Sequence, residues 1–184
     1  MPHLHTDPGD HDATVSFFIV RTDGPEPRLM YHRHLKVRKL MMFGGHIERD
    51  ETPWAAVLRE LVEESGYQPA QVQVLQPRIR MRRVTDAAAH PVPVMSSTAC
   101  TSAEPAHFHT DLLYALTTDE EPAGAPDDGE STDIRLVTRS ELDRIPDEDI
   151  VEMWREAGRF ILDEILGAWD PVAMDAYPDT APLV

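Results

Sequence analysis

The chain of 184 residues holds one cysteine, Cys100, which excludes an internal disulfide and a cysteine-rich zinc site. It is also short of basic residues. Lys and Arg number 17 against 33 Asp and Glu, so the formal net charge is 17 − 33 = −16. That deficit argues against a nucleic-acid polymer as partner, which needs a basic footprint, and against docking on an anionic membrane. No apolar run approaches the roughly 18 residues of a membrane span. The opening Met-Pro-His-Leu-His lacks the basic and apolar regions of a secretory signal, so a cytoplasmic location is expected. No internal repeat is visible. What is there is an acidic chain of ordinary hydrophobic content, long enough for one domain with a real core.

Residues 1–11 carry His, Pro and acids without periodicity and read as a flexible N-terminal arm; residues 12–166 read as the domain, and 167–184 as a loose C-terminal tail. Val15 to Val20 is an apolar, β-favouring run, expected as a strand buried on both faces. Arg28 to His34 reads as a second strand, and Leu40 to Phe43 as an apolar run that Gly44-Gly45 breaks. Further strands are predicted over 72–75, 78–81 and 91–99. Residues 107–117 alternate, with Phe108, Leu112, Tyr114 and Leu116 on one face and His107, His109, Asp111 and Leu113 on the other. Thr52-Pro53 is a hydroxyl cap followed by proline at the first helical position, and Gly66 is a matching stop. Between them Trp54, Val57, Leu58, Leu61 and Val62 form one apolar stripe. Asp119 to Asp133 reads as a surface loop, Ile134 to Val137 as a strand, and Ser140 as the cap of a turn beginning at Glu141. Asp149 to Leu166 reads as an amphipathic helix with Ile150, Met153, Trp154, Ala157, Phe160, Ile161 and Ile165 inward. Strands interleaved with helices point to the α/β class, a mixed sheet packed by helices.

The chemistry is concentrated in the first of these helices. Glu60, Glu63 and Glu64 stand at i, i+3 and i+4, so they span about a third of the helix circumference. Their arc borders the apolar stripe. Crowded carboxylates repel, weakening a helix by a few tenths of a kcal/mol per pair. A divalent cation reverses that sign, and oxygen-only ligands suit Mg²⁺ or Mn²⁺. Arg59 adds a cation, and Glu51 precedes the helix where it meets the positive end of the dipole. On its own, Glu-x-x-Glu-Glu reads first as a solvated acidic face, since acidic runs are common.

The wider spacing decides between them. Gly45, Glu51, Arg59, Glu60, Leu61, Glu63, Glu64 and Gly66 match Gly-x5-Glu-x7-Arg-Glu-U-x-Glu-Glu-x-Gly-U, with U a bulky apolar residue. This segment resembles the Nudix box of the MutT-like hydrolases. A chance match from average residue usage is roughly one in a million. Tyr67 at the final U and Phe43 before the glycine pair, where the family often has Pro, are soft departures. The resemblance implies an α/β/α sandwich with a mixed central sheet and a loop–helix–loop. It implies Glu60, Glu63 and Glu64 as metal ligands with the carbonyl of Gly45, and Arg59 and Glu51 as groups that orient them. Mg²⁺ or Mn²⁺ would be the cofactor, and water would attack a diphosphate bond, with a carboxylate taking the proton. The partner implied is a small diphosphate, nucleotide-derived. Dimers are common in the family, so a homodimer is one expectation.

Outside the box, Lys36, Arg38 and Lys39 stand out in so acidic a chain, either as a solvated turn or as an attractor of an anionic substrate. His107, His109 and Asp111 share one strand face. They are a substrate-binding wall, a structural hydrogen-bonding set, or a separate metal site for which no fourth ligand is evident. Glu130 is the candidate carboxylate from a late loop, ahead of Glu104 and Glu121. Cys100 is expected as a small buried hydrophobe. The leading expectation is a metal-dependent hydrolase of a nucleoside diphosphate linked to another moiety. The alternative is a catalytically silent Nudix-fold sensor or binding module, disfavoured by the intact carboxylates. An isomerase of isopentenyl-diphosphate type on this fold needs a cysteine before the box, and Cys100 lies after it.

Overall fold

In a computed structural model of the chain, which describes residues 7, 9–103 and 106–181, the sheet is built around one long parallel pair. The strand β1 (His11–Arg21) runs beside β7 (Ala106–Thr118) in register from His11↔Phe108 to Arg21↔Thr118. From Thr14 onward every residue of β1 is buried, as expected for a central strand covered on both faces. The arm read over residues 1–11 falls mainly outside the described residues, and His11 already opens β1.

The far edge of β1 is divided between two antiparallel partners. Its first half takes β4 (Phe43–His46), and its end takes β2 (Arg28–Arg33). Beyond β2 lie β3 (Leu40–Met41) and β8 (Ile134–Thr138). The far edge of β7 takes β6 (Met95–Ala103) and β5 (Gln73–Gln76), and β9 (Asp170–Ala173) closes the order beyond β5.

One helix covers each face. The helix α1 (Pro53–Ser65) buries Trp54, Val57 and Leu61 against Val15, Phe17, Ile19, Tyr114 and Leu116. The short α2 (Arg139–Leu142) leads to α3 (Glu152–Phe160) and its π-helical continuation Ile161–Ile165. These bury Trp154, Ile161 and Ile165 against Phe18, Val20, Leu113 and Ala115. Each fully buried side chain of this kind is worth about 1.5–3 kcal/mol, so both layers are held by apolar burial. The α/β/α sandwich with a mixed sheet is the observed fold.

Several local readings change. Residues 78–81 form no strand: Ile79 is 96% and Met81 73% exposed, and both edges of β5 are already taken by β7 and β9. Pro91 and Pro93 delay β6 to Met95, because proline cannot donate to the ladder. Gly44 and Gly45, which end the apolar run, form the middle of β4. The cap of α2 is Thr138, not Ser140. A reciprocal box with Glu141 fixes it there. Phe160 is exposed, and so is Cys100, which lies on β6 and is no core residue. The stretch after Gly167 is ordered by tertiary pairing. It supplies β9, and Met174 and Tyr177 are buried against α1, with Trp54 Nε1 donating to the Met174 carbonyl at 3.3 Å.

Candidate active site

The first turn of α1 is set by Thr52, whose Oγ1 accepts from the Ala55 amide at 3.1 Å. Its end is set by Gly66 at φ +72°, a left-handed conformation that stops the helix. Between these caps the apolar stripe faces the sheet, and the residues at its border, Glu60 and Glu64, are buried with it. Tyr67 is buried completely; its hydroxyl donates to the Glu120 carbonyl at 2.8 Å and accepts from Arg21 Nη1 at 3.1 Å. The polar tip is thereby satisfied in an apolar position.

Arg59 organises the carboxylates. Its Nη2 and Nε donate to the two oxygens of Glu51 at 2.6 and 3.2 Å, a bidentate pair. Its Nη1 donates to Glu60 Oε1 at 2.8 Å and to Glu63 Oε2 at 3.1 Å. Its Nη2 also donates to the His46 carbonyl at 3.0 Å, tying α1 to the end of β4. Glu64 accepts from the Gly44 amide at 2.7 Å. At Gly44 the backbone has φ +135°, and a Cβ would collide with the Val15 carbonyl oxygen. Glycine is required there so that β4 can lie against β1 and offer its amide to Glu64.

The electrostatics follow from this crowding. Burial opposes ionisation of Glu51, but the hydrogen bonds from Arg59 outweigh it and hold that carboxyl below its usual range. Burial pushes Glu60 up, against the pull of Arg59. Burial pushes Glu64 up to about 9; the Gly44 amide opposes this, and Glu60 and Glu130 reinforce it. Three carboxylates (Glu51, Glu60 and Glu63) thus gather around one guanidinium, with Glu64 and Glu130 beside Glu60. A hard divalent cation fits this donor set, since it favours the ionised form of every oxygen that burial now opposes.

Glu60, Glu63, Glu64 and Gly45 line a cavity of about 470 Å³, together with Gly44, Glu130 and Ser131. Its other walls carry His32, His34, Lys36, Met42, Met153 and Trp154, and at the sheet end Thr14, Ser16, His46, His109 and Asp111. Burial lowers the His32 ring to about 4, so it presents a neutral imidazole. Asp111 Oδ1 accepts from Thr14 at 2.7 Å and Ser16 at 2.8 Å, and burial raises its carboxyl to about 6 despite both bonds.

Of the site residues expected from sequence, Glu60, Glu63, Glu64, Gly45, Lys36, His109, Asp111 and Glu130 meet at this cavity. Glu51 and Arg59 stand behind its glutamate wall. Arg38 and Lys39 do not line it; Lys39 Nζ donates to the Asp147 carbonyl at 2.9 Å. His107 lies behind the sheet end, where its Nε2 is 3.2 Å from Asp12 Oδ2. Glu121 is held by Arg21 at 2.7 Å, and Glu104 lies outside the described residues. Sequence reading missed His46, Asp12, Thr14 and Ser16. The strand signal of β1 starts at Val15 and masks its polar first residues, and His46 follows the glycine pair with no pattern of its own.

The NUDIX domain family matches the chain over residues 10–157. Among solved structures, a NUDIX-family hydrolase from Clostridium perfringens is 27% identical, with a TM-score of 0.66 over 84% of this chain and 97% of that one. The NUDIX domain of Shewanella oneidensis NrtR, solved with ADP ribose, is 14% identical with a TM-score of 0.55, covering 85% and 94%. The C. elegans Ap4A hydrolase is 14% identical with a TM-score of 0.53, covering 82% and 96%. At 14% identity these two share the fold alone. No curated protein sequence matches the chain.

Proposed function

The chain belongs to the NUDIX domain family and is a pyrophosphohydrolase, and from that premise we propose that it cleaves the diphosphate of a nucleoside diphosphate linked to another moiety, with Mg²⁺ or Mn²⁺ as cofactor. The observation that carries this reading is the convergence of Glu60, Glu63, Glu64 and Glu130 on one cavity beside the Gly44-Gly45 backbone. Glu60, Glu63 and Glu64 hold the cation with the Gly45 carbonyl. When bound, the cation neutralises phosphate charge and lowers the pKa of a bound water. Arg59 and Glu51 fix the carboxylates in place, and Glu130, which reaches the same cavity from a later loop, is the candidate proton acceptor. Lys36 attracts the phosphates. His109 and Asp111 form the wall against the rest of the substrate. A nucleotide-derived substrate is supported by the ligand of the Shewanella neighbour and the name of the C. elegans one.

The test is a screen of nucleoside triphosphates, sugar nucleotides, dinucleoside polyphosphates and ADP-ribose with Mg²⁺ or Mn²⁺. Glu64→Gln should lower turnover of the best substrate by about 10²–10³-fold. Undiminished turnover in that variant would remove the mechanism. Nucleotide binding without turnover under either metal would favour a binding module instead.

A further inference from the structure

At the sheet end of the cavity, three strands bring together a second set of ligand-type side chains. Asp12 comes from the start of β1, His46 from the end of β4, and His107 and His109 from one face of β7. Register makes the meeting unavoidable. Asp12 stands opposite His109 across the parallel pair, and His46 pairs with Thr14, two residues along β1 on the same face as Asp12. Asp12 is completely buried. Its Oδ2 lies 3.2 Å from His107 Nε2 and 3.3 Å from His46 Nε2. The ligand atoms of Asp12, His107 and His109 all lie within 4.8 Å of one another. The His109 ring is 5.3 Å from that of His107 and 5.0 Å from that of His46.

We propose that Asp12, His107 and His109, with His46 beside them, bind a divalent transition-metal ion separate from the one the glutamates of α1 hold. Three features carry this. The first is spacing: donors sharing one tetrahedral ion at about 2.0–2.2 Å stand about 3.3–3.6 Å apart, close to the separations seen around Asp12 Oδ2. The second is donor chemistry: imidazole nitrogens suit zinc and its transition-metal neighbours and are poor ligands for Mg²⁺ and Ca²⁺. The third is access: His46 and His109 line the cavity, so an ion has an entry path and its remaining coordination positions face the substrate space. Two sites of different hardness then bound one cavity: an oxygen-only site at the helix and a nitrogen-rich site at the sheet.

The test is metal titration of the full-length chain, with Zn²⁺ in competition with a coloured chelator and excess Mg²⁺ present. One Zn²⁺ should bind and resist Mg²⁺. The Glu60→Gln/Glu64→Gln double variant should retain it, while His107→Ala and His109→Ala should weaken it by more than about 100-fold, beyond the loss of a mere supporting partner. Co²⁺ substituted into the wild type should give the intense visible absorption of a nitrogen-ligated, low-coordinate ion, a readout that needs no histidine variant to fold. The proposal fails if the wild type takes up no tight Zn²⁺. It fails equally if uptake disappears in the glutamate double variant and persists in His107→Ala, or if Co²⁺ shows only the weak spectrum of an all-oxygen octahedral site.

Discussion

Glu60, Glu63 and Glu64 reach the cavity from a single helix, whereas His46 and His109 reach its other end, with Asp12 buried beside them, from three strands far apart in the chain. The helical set is positioned by local periodicity, and its repulsion is managed within the same segment by Arg59 and Glu51. The strand set depends on register. A one-residue slip of β1 against β7 would turn Asp12 to the opposite face and leave the glutamates where they are. The helical set leans on the sheet at two points, the Gly44 amide and the His46 carbonyl, whereas the strand set depends on pairing throughout.

Arg59→Ala attacks the helical set at its centre and carries the largest expected effect. It frees Glu51, Glu60 and Glu63 together, so kcat at saturating Mn²⁺ should fall by about 100-fold or more. Arg59→Lys should restore only part of this, because an ammonium lacks the planar fork that serves Glu51 bidentately. Wild-type kcat in Arg59→Ala would mean that the carboxylates need no such anchor.

A pH series separates the helical wall from the opposite one by sign. The Glu64 carboxyl is raised to about 9, so its contribution to folding is complete at low pH and is lost as pH climbs from its ordinary value of 4.5 toward 9. The His32 ring is lowered to about 4, so its contribution is complete above its ordinary 6.5 and is lost as pH falls toward 4. That acid limb is worth about 3 kcal/mol. Urea unfolding of metal-free protein should therefore show a stability maximum between the two limbs. Mn²⁺ should flatten the alkaline limb alone, and His32→Asn the acid limb alone. If Mn²⁺ leaves the alkaline limb unchanged, Glu64 does not meet the cation.

The smallest effect is expected at Lys36. As a lone cation on the rim of the cavity, its loss in Lys36→Ala should raise KM by about two- to five-fold at low salt and hardly at all at high ionic strength, where the charge is screened. A salt-independent change would mark a direct contact instead of attraction.

Much of the helical wall was legible before any coordinates. Thr52-Pro53, the Trp54–Val62 stripe and Gly66 bound α1 correctly because caps and periodicity act over one or two turns. The central strands were legible because β1 and β7 are apolar enough to announce themselves. Two of the misreadings share one cause, the occupancy of sheet edges. Ile79 and Met81 alternate like a strand, yet no sheet edge was free for them, and the sequence around Pro171 looks loose, yet β5 had an edge to offer. Cys100 carries a residue type that is usually buried but sits on the outer stretch of β6.

Local sequence alone determined the carboxylate helix, its caps and the family the chain belongs to, since each depends on residues within one segment. Only the tertiary structure decided that Asp12 and His46 join His107 and His109, that Lys36 reaches the cavity while Lys39 turns to the Asp147 carbonyl, and that the chain after Gly167 braces α1. The physical reason is that strand pairing and edge occupancy are settled by what else the whole chain has to bury and to hydrogen-bond, which no short window of residues contains.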